Sequence, residues 1–157
     1  MLVIGVGNAW RGDDGFGLVV AEALADSLPE VAVKTASGDG AALMSEWEGA
    51  ELVIIVDAVR SGAAPGTLHR LDASAGPLPP DSLRCSSHAF GVAEAIELSR
   101  ALGTMPRRLV VHGVSGQTFA AGTDLSPPVR DAVGPLLKRI RDEVAALTLA
   151  RESAGHR

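Results

Sequence analysis

The chain is short of several residue types on which other classes of protein depend. Cys85 is the one cysteine among 157 residues, so no internal disulfide can form and a reducing compartment is expected. Aromatic residues make up 3% of the sequence and tyrosine is absent, so the core must be built from Val, Leu, Ile and Ala. No apolar run is long enough to span a bilayer, and no signal peptide precedes the first predicted strand. These features predict a cytoplasmic protein that does not contact membranes.

The charge balance excludes a further class of partner. The formal net charge is −5 and no basic stripe is present, so binding to nucleic acid is not expected. A composition of 46% hydrophobic and 21% charged residues is typical of a globular protein. The length favours one compact domain, which we assign to residues 1–150, with a polar C-terminal tail at residues 151–157. The expected state is a monomer.

Short apolar runs alternate with segments of helical periodicity. Strands are predicted at residues 2–6, 31–36, 52–56, 67–71 and 108–114, and helices at residues 13–27, 41–47, 87–101 and 128–149. Three of the nine prolines predict an irregular loop over residues 72–83. The alternation predicts an α/β fold, a three-layer α/β/α sandwich around a mostly parallel sheet. The connection at residues 57–65 is too short for a crossover helix, so the strand after it is predicted to be an antiparallel edge strand.

The turn after the first strand is rich in glycine and carries two adjacent acids. It is similar to a dinucleotide-binding turn, but Trp10 occupies the position of the third glycine of that fingerprint. The carboxylates of Asp13 and Asp14 would also repel a pyrophosphate, so nucleotide binding is the less favoured alternative. Both acids remain open as helix caps or as ligands, and Asp13 is the candidate for the cap.

Two acids and one histidine follow elements that meet at one edge of the predicted sheet. Asp14 follows the first strand and Asp57 ends the third, and these strands are neighbours in the usual doubly wound orders. Ligands bind outside the carboxyl ends of such strands, so both carboxylates can reach one crevice. His88 lies at the start of a predicted helix, with Ser86 or Ser87 as its cap, and alone it is typical of a surface residue. With the two acids it forms a metal-binding set with open positions, suited to zinc, nickel or iron.

Other candidate residues are weaker. His112 lies within a predicted strand and is expected to be a packed strand histidine, while His69 lies on the edge strand. Cys85 has no recognisable electropositive setting and is expected to be a small buried residue. Trp10 and Arg11 flank the acids, where binding of a partner and simple loop packing are both open.

Six segments, in order over nearly the whole chain, together resemble the hydrogenase maturation protease family. They are GVGN at 5–8, DDGFG at 13–17, IIVDAV at 54–59, PGT at 65–67, SHAFG at 87–91 and LSPPV at 125–129. Two segments depart from the family pattern. Residues 37–40 read SGDG where the family usually has Asp-Gly-Gly-Thr, and residues 116–117 read GQ where an acid is common. These departures concern the choice of precursor more than the reaction.

The resemblance implies a site and a substrate. It places metal ligands, which would also be the catalytic residues, at Asp14, Asp57 and His88, and it implies a five-stranded mixed sheet with an antiparallel edge strand. The implied activity is that of an endopeptidase, which removes a C-terminal peptide from the nickel-loaded precursor of a [NiFe]-hydrogenase large subunit. The nickel cofactor would be supplied by that substrate. A nickel-dependent checkpoint or chaperone without hydrolysis is the alternative from another functional class.

Overall fold

The computed structural model describes residues 1–79 and 90–156. A 3-10 turn at Gly12–Gly15 follows the first strand and leads into the first helix. The elements are β1 (Leu2–Val6), α1 (Phe16–Ser27), β2 (Ala32–Ala36), α2 (Gly40–Glu46), β3 (Leu52–Val59), β4 (Leu68–Asp72), α3 (Val92–Leu102), β5 (Arg108–Ser115) and α4 (Pro127–Gly155).

The strands form one sheet in the order β2-β1-β3-β5-β4. Neighbours from β2 to β5 pair in parallel, whereas β4 pairs with β5 in the antiparallel direction. The structure therefore confirms the mixed five-stranded sheet, its antiparallel edge strand, and the pairing of the first strand with the third.

Apolar side chains cover both faces of the sheet. In β3, Ile54 and Val56 belong to the cluster that includes residues of α1 and α4. Val53 and Ile55 point the other way and join the cluster that includes residues of α2 and α3. A strand buried on both faces has a continuous apolar sequence rather than an alternating one, as the run at residues 52–56 does. The three-layer α/β/α architecture is confirmed.

Glycines allow α1 to lie directly against the ends of the central strands. A Cβ on Gly17 would lie 2.4 Å from the carbonyl oxygens of both Val6 and Val56. A Cβ on Gly5 would lie 2.1 Å from the carbonyl oxygen of Gly17. These contacts fix the start of α1 over the carboxyl ends of β1 and β3, and they give the glycine-rich turn a packing role that needs no nucleotide.

Two predicted helix boundaries are wrong. Helix α3 begins at Val92, not at residue 87, because Gly91 is extended and its N–H donates to Glu94 Oε2 at 3.1 Å. The predicted caps Ser86 and Ser87 lie outside the described residues. Helix α4 continues to Gly155, where a polar tail was expected from residue 151. Its polar last turns keep helical hydrogen bonding, since the backbone is satisfied within the helix even where side chains face water.

Membrane-crossing helices are not found within residues 1–79 and 90–156. The longest helix there, α4, has 29 residues but carries charged side chains along its length. It covers one face of the sheet through the buried positions Val129, Ala132, Leu136, Ile140 and Val144.

We predict that Gly17→Ala destabilises the fold, because the added methyl would collide with two backbone carbonyls that cannot move independently. The expected loss in the free energy of unfolding is about 1–3 kcal/mol, the usual cost of overpacking. Chemical denaturation followed by circular dichroism measures it. The control is Gly76→Ala, since a Cβ there meets nothing within 4 Å. Equal stability of the two variants would contradict the packing role of Gly17.

Candidate functional site

Asp14 is brought back to the end of β1 by the glycine-rich turn. The backbone at Gly7 has a φ of 151°, and a Cβ there would lie 1.8 Å from the carbonyl oxygen of Asp14. The N–H of Asn8 donates to the same carbonyl at 3.1 Å. Only glycine permits this approach, so the GVGN segment positions the half-buried Asp14 beside the carboxyl end of its strand.

Asp57 lies inside β3 rather than just after it. The strand continues to Val59, and the Asp57 residue is 8% exposed. Val53, Ile55 and Asp57 are every second residue of the strand, so their side chains lie on one face. This is the face of the sheet that α2 and α3 cover. A carboxyl group is therefore held on a rigid element at the carboxyl edge of the sheet.

The two carboxyl groups influence each other. Burial raises the pKa of Asp57 well above its ordinary range, and the charge of Asp14 raises it further. A backbone hydrogen bond involving Ala58 offsets part of this shift. The pair thus lies within electrostatic reach, and Asp57 resists losing its proton while Asp14 is charged. Such a pair can bind a cation or hold an exchangeable proton.

His88, the third predicted ligand, lies outside the described residues, as does Cys85. The described segment nearest to it in sequence begins at Phe90, whose carbonyl accepts a hydrogen bond from the N–H of Gly40 at 2.8 Å. Gly40 starts α2 directly after β2, so Phe90 lies at the carboxyl edge of the sheet. Within residues 1–79 and 90–156, no three His, Cys, Asp or Glu side chains form a metal-binding group. The role of His88 stays a prediction.

Asp13 is not the helix cap that the sequence suggested. Its side chain is fully buried and accepts hydrogen bonds from the backbone N–H groups of Gln117, Thr118 and Ser126 at 2.7, 3.0 and 2.7 Å. The hydroxyl of Ser126 lies 3.0 and 2.8 Å from the two carboxylate oxygens. Gln117 is 104 positions away in the sequence, so no local pattern could have shown this role.

The hydrogen bonds of Asp13 keep it ionised. Burial alone would raise the pKa of this carboxyl, but the bonds from Thr118, Ser126 and Gln117 outweigh burial and lower the pKa below its ordinary value. Ser126 is the N-cap residue of α4. Asp13 therefore joins the turn that carries Asp14 to the start of α4 and to the loop after β5.

His112 is a packed strand histidine, as predicted. Its side chain is buried, and Nε2 lies 2.7 Å from Glu143 Oε2. Arg70 donates to the other oxygen of Glu143. Burial would raise the pKa of Glu143, but its bonds to His112 and Arg70 lower that pKa to about 2. This network joins β4, β5 and α4 on the face opposite to Asp57.

Trp10 is exposed next to the acidic pair. Its residue is 79% exposed, which excludes loop packing as the role of the indole. Its backbone is nevertheless fixed, because the Trp10 N–H donates to Asn8 Oδ1 at 2.9 Å and the Gly122 N–H donates to the Trp10 carbonyl at 2.7 Å. A large apolar side chain on a fixed backbone is a feature of contact surfaces, and binding of a partner remains open for it.

We predict that Asp13→Asn lowers the free energy of unfolding by about 1.5–3 kcal/mol, the range for hydrogen bonds to a charged group. The amide NH2 of asparagine would face donors that now meet a carboxylate. Because the folded pKa of Asp13 is lowered, its contribution is present above the unfolded pKa of about 3.9 and is lost as pH falls through the folded value. The matched control, Asp26→Asn at an exposed position, should be as stable as wild type. Denaturation of both variants at pH 7 tests this, and equal destabilisation would contradict it.

We predict the opposite pH dependence for Asp57. Its folded pKa is raised, so above the unfolded pKa of about 3.9 the unfolded state loses a proton more readily, and folding stability falls as pH rises. Asp57→Asn should therefore be more stable than wild type at neutral pH, with a difference that shrinks towards pH 4. Denaturation midpoints measured from pH 4 to pH 8 give this difference. A gap that is constant with pH would show that Asp57 titrates normally.

The chain is similar in sequence to known proteins of one family. The family model described as hydrogenase maturation protease matches residues 19–143, which include Asp57 and His88 and begin after Asp14. The hydrogenase expression/formation protein HupD of Bradyrhizobium diazoefficiens is 30% identical over 98% of this chain and 83% of its own length. The hydrogenase 2 maturation protease of Escherichia coli is 29% identical over 89% of this chain and 87% of its own.

A solved structure extends the similarity to the fold. The hydrogenase maturating endopeptidase HybD from E. coli superimposes with a TM-score of 0.72 at 27% sequence identity, over 95% of this chain and 92% of that one. The family model alone covers well over half of the chain. The chain therefore belongs to the hydrogenase maturation protease family, a family of peptidases.

Proposed function

We propose that this protein is an endopeptidase that removes a C-terminal peptide from the nickel-loaded precursor of a [NiFe]-hydrogenase large subunit. The observation that carries the proposal is the pairing of the buried Asp57 with Asp14 at the carboxyl edge of the sheet, in a chain of this family. Open α/β sheets bind their ligands at this edge. His88 is the proposed third contact to the nickel.

The chemistry of the acidic pair suits a cation that arrives with the substrate. Two neighbouring carboxylates, one of them buried, are costly to ionise together, and a cation between them would offset that cost. Metal ligands must be deprotonated, so nickel binding to Asp57 would release the proton that its raised pKa retains. The isolated protein is therefore expected to bind nickel weakly and to bind it more weakly as pH falls.

Water is the proposed nucleophile. Ser115, which lies two rows beyond Asp57 in the β3–β5 pairing, is 1% exposed and lies too deep to attack a peptide bond. A higher pKa makes a carboxylate a stronger base. The raised pKa of Asp57 thus supports a role for this carboxyl in accepting a proton from water, beside its proposed contact with nickel.

Specificity is proposed to come from the metal that the substrate already holds. Nickel would add binding energy only in loaded precursor, so unloaded precursor would bind less well. Trp10 is a second candidate contact, because its indole is exposed beside the site.

Residues 37–40, where the sequence departs from the family pattern, include the N-cap of α2. Asp39 Oδ1 accepts a hydrogen bond from the N–H of Ala42 at 3.1 Å and so caps this helix.

A nickel-dependent checkpoint or chaperone is the alternative. It would use the same acidic pair to recognise loaded precursor but would leave the precursor at full length. Precursor mass before and after incubation separates the two functions. The monomeric state and the cytoplasmic location stay predictions.

We predict that nickel-loaded precursor is shortened, whereas the same precursor without nickel and an unrelated peptide remain intact. Asp14→Asn and His88→Ala should abolish shortening while the variants stay folded, because each removes one proposed contact to the metal. The matched controls are Asp26→Asn and His156→Ala at exposed positions. Mass spectrometry of the precursor measures cleavage, and circular dichroism checks the fold. Cleavage of nickel-free precursor at the same bond and rate, or normal processing by either site variant, would overturn the proposed recognition.

A further inference from the structure

A chain of polar side chains lies beside the acidic pair and has no part in the function proposed so far. Ser61 Oγ lies 2.6 Å from Ser115 Oγ, which lies 2.7 Å from His69 Nε2. The N–H of Ala63 donates to Ser61 Oγ at 3.1 Å. Ser115 is buried, whereas Ser61 is exposed and His69 is half-buried. The chain thus runs from the loop after β3, through β5, to a histidine on the edge strand.

The strand register places His69 on the same face of the sheet as Asp57. Both residues pair with Gly113, Asp57 from β3 and His69 from β4. Side chains of directly paired residues project from one face of a sheet. With neighbouring strands about 4.8 Å apart, the Cα atoms of Asp57 and His69 are on the order of 10 Å apart. An acid and an imidazole therefore stand on either side of Gly113, at the edge where substrate is proposed to bind.

Gly113 leaves the space between them open. A Cβ at this position would meet Val59 Cγ1 at 3.4 Å, Val59 Cγ2 at 3.6 Å and His69 Cβ at 3.8 Å. Packing in the sheet thus tolerates a small side chain there, and the fold does not require glycine. Because Gly113 has no side chain, the imidazole of His69 can extend over β5 to reach Ser115.

The hydrogen bonds along the chain favour one direction. Ser61 Oγ already accepts from the Ala63 N–H, which makes the Ser61 hydroxyl a stronger donor to Ser115. With the bonds in that direction, Ser115 donates to His69 Nε2, and each hydroxyl accepts one bond and donates one. A neutral imidazole that accepts at Nε2 carries its hydrogen on Nδ1. Within the described part of the chain, Nδ1 of His69 has no hydrogen-bond partner.

We propose that His69 is a substrate-binding residue of the site, whose Nδ1–H donates a hydrogen bond to a backbone carbonyl of the precursor close to its scissile bond. The inference rests on the proposed endopeptidase function and names a contact for its substrate. A peptide carbonyl is the ligand that fits, because a carboxylate would be repelled by the charge of Asp14, whereas a neutral acceptor is not. Ser115 and Ser61 are positioning residues that hold the imidazole in the donating tautomer.

Two substitutions separate the nitrogen atoms of His69. In His69→Gln the longer side chain can still reach Ser115 but offers no donor at the position of Nδ1. In His69→Asn the shorter amide places an N–H near the position of Nδ1 but loses the contact with Ser115. His156→Gln, at an exposed position near the end of the chain, is the matched control. All four proteins, wild type included, are assayed on the nickel-loaded precursor that wild type shortens.

The expected result is a rise in KM without loss of kcat. One lost hydrogen bond to a neutral acceptor should raise KM about three- to tenfold in His69→Gln. The change in kcat should stay within about twofold, since binding is lost equally in the ground state and the transition state. His69→Asn should recover part of the loss, and His156→Gln should match wild type. A purely structural role would instead lower the stability of both His69 variants and leave KM unchanged.

A second measurement tests the tautomer without substrate. At pH 8, 15N NMR should show His69 with its hydrogen on Nδ1 in wild type. Ser115→Ala should shift it towards Nε2–H. Hydrogen on Nε2 in wild type, or a wild-type KM in His69→Gln, would overturn this inference alone. Wild type that shortens no precursor would overturn the proposed function and this inference with it.

Discussion

The buried carboxylate of Asp13 is the interaction on which the geometry of the site depends. It receives hydrogen bonds from the loop after β5 and from the N-cap residue of α4, although both are far from it in sequence. Backbone bonds reinforce the connection, since Gly12 donates to Thr123 and Asp13 donates to Thr118. A turn fixed in this way holds the backbone of the adjacent Asp14 in one place.

Asp13 and Asp57 thus have opposite effects on the stability of the fold. Asp13 is ionised and stabilised by donors, so it adds to the stability of the fold. Asp57 is buried near the charge of Asp14, and its raised pKa means that ionising it is costly. Groups that destabilise a fold in the absence of a ligand are a recurrent property of functional sites. Ionising Asp57 therefore destabilises the fold, whereas the ionised Asp13 stabilises it. Both residues belong to elements that meet at one edge of the sheet.

The histidines differ in the same way. His112 is enclosed between Glu143 and the core, and its hydrogen bond completes a network that joins the edge strand to α4. His69 is only half-buried, and its described partner is the buried hydroxyl of Ser115. One imidazole is therefore used by the fold, whereas the other has one nitrogen without a hydrogen-bond partner among residues 1–79 and 90–156. The two histidines lie in the neighbouring strands β4 and β5, but they differ in burial and in their hydrogen-bond partners.

The sequence by itself determined the layered sheet and the acids at its edge. Runs such as residues 52–56 are apolar without interruption because both faces are covered, and a connection without room for a helix required the antiparallel edge strand. Only the tertiary structure decided which groups surround those acids. The partners of Asp13, the pKa of Asp57 and the row of Asp57, Gly113 and His69 each depend on strand register and loop contacts between distant segments. Local periodicity indicates which face of an element is apolar. It does not indicate which hydrogen-bond donors or charges from distant segments will lie next to a side chain, or where space will be left open beside it.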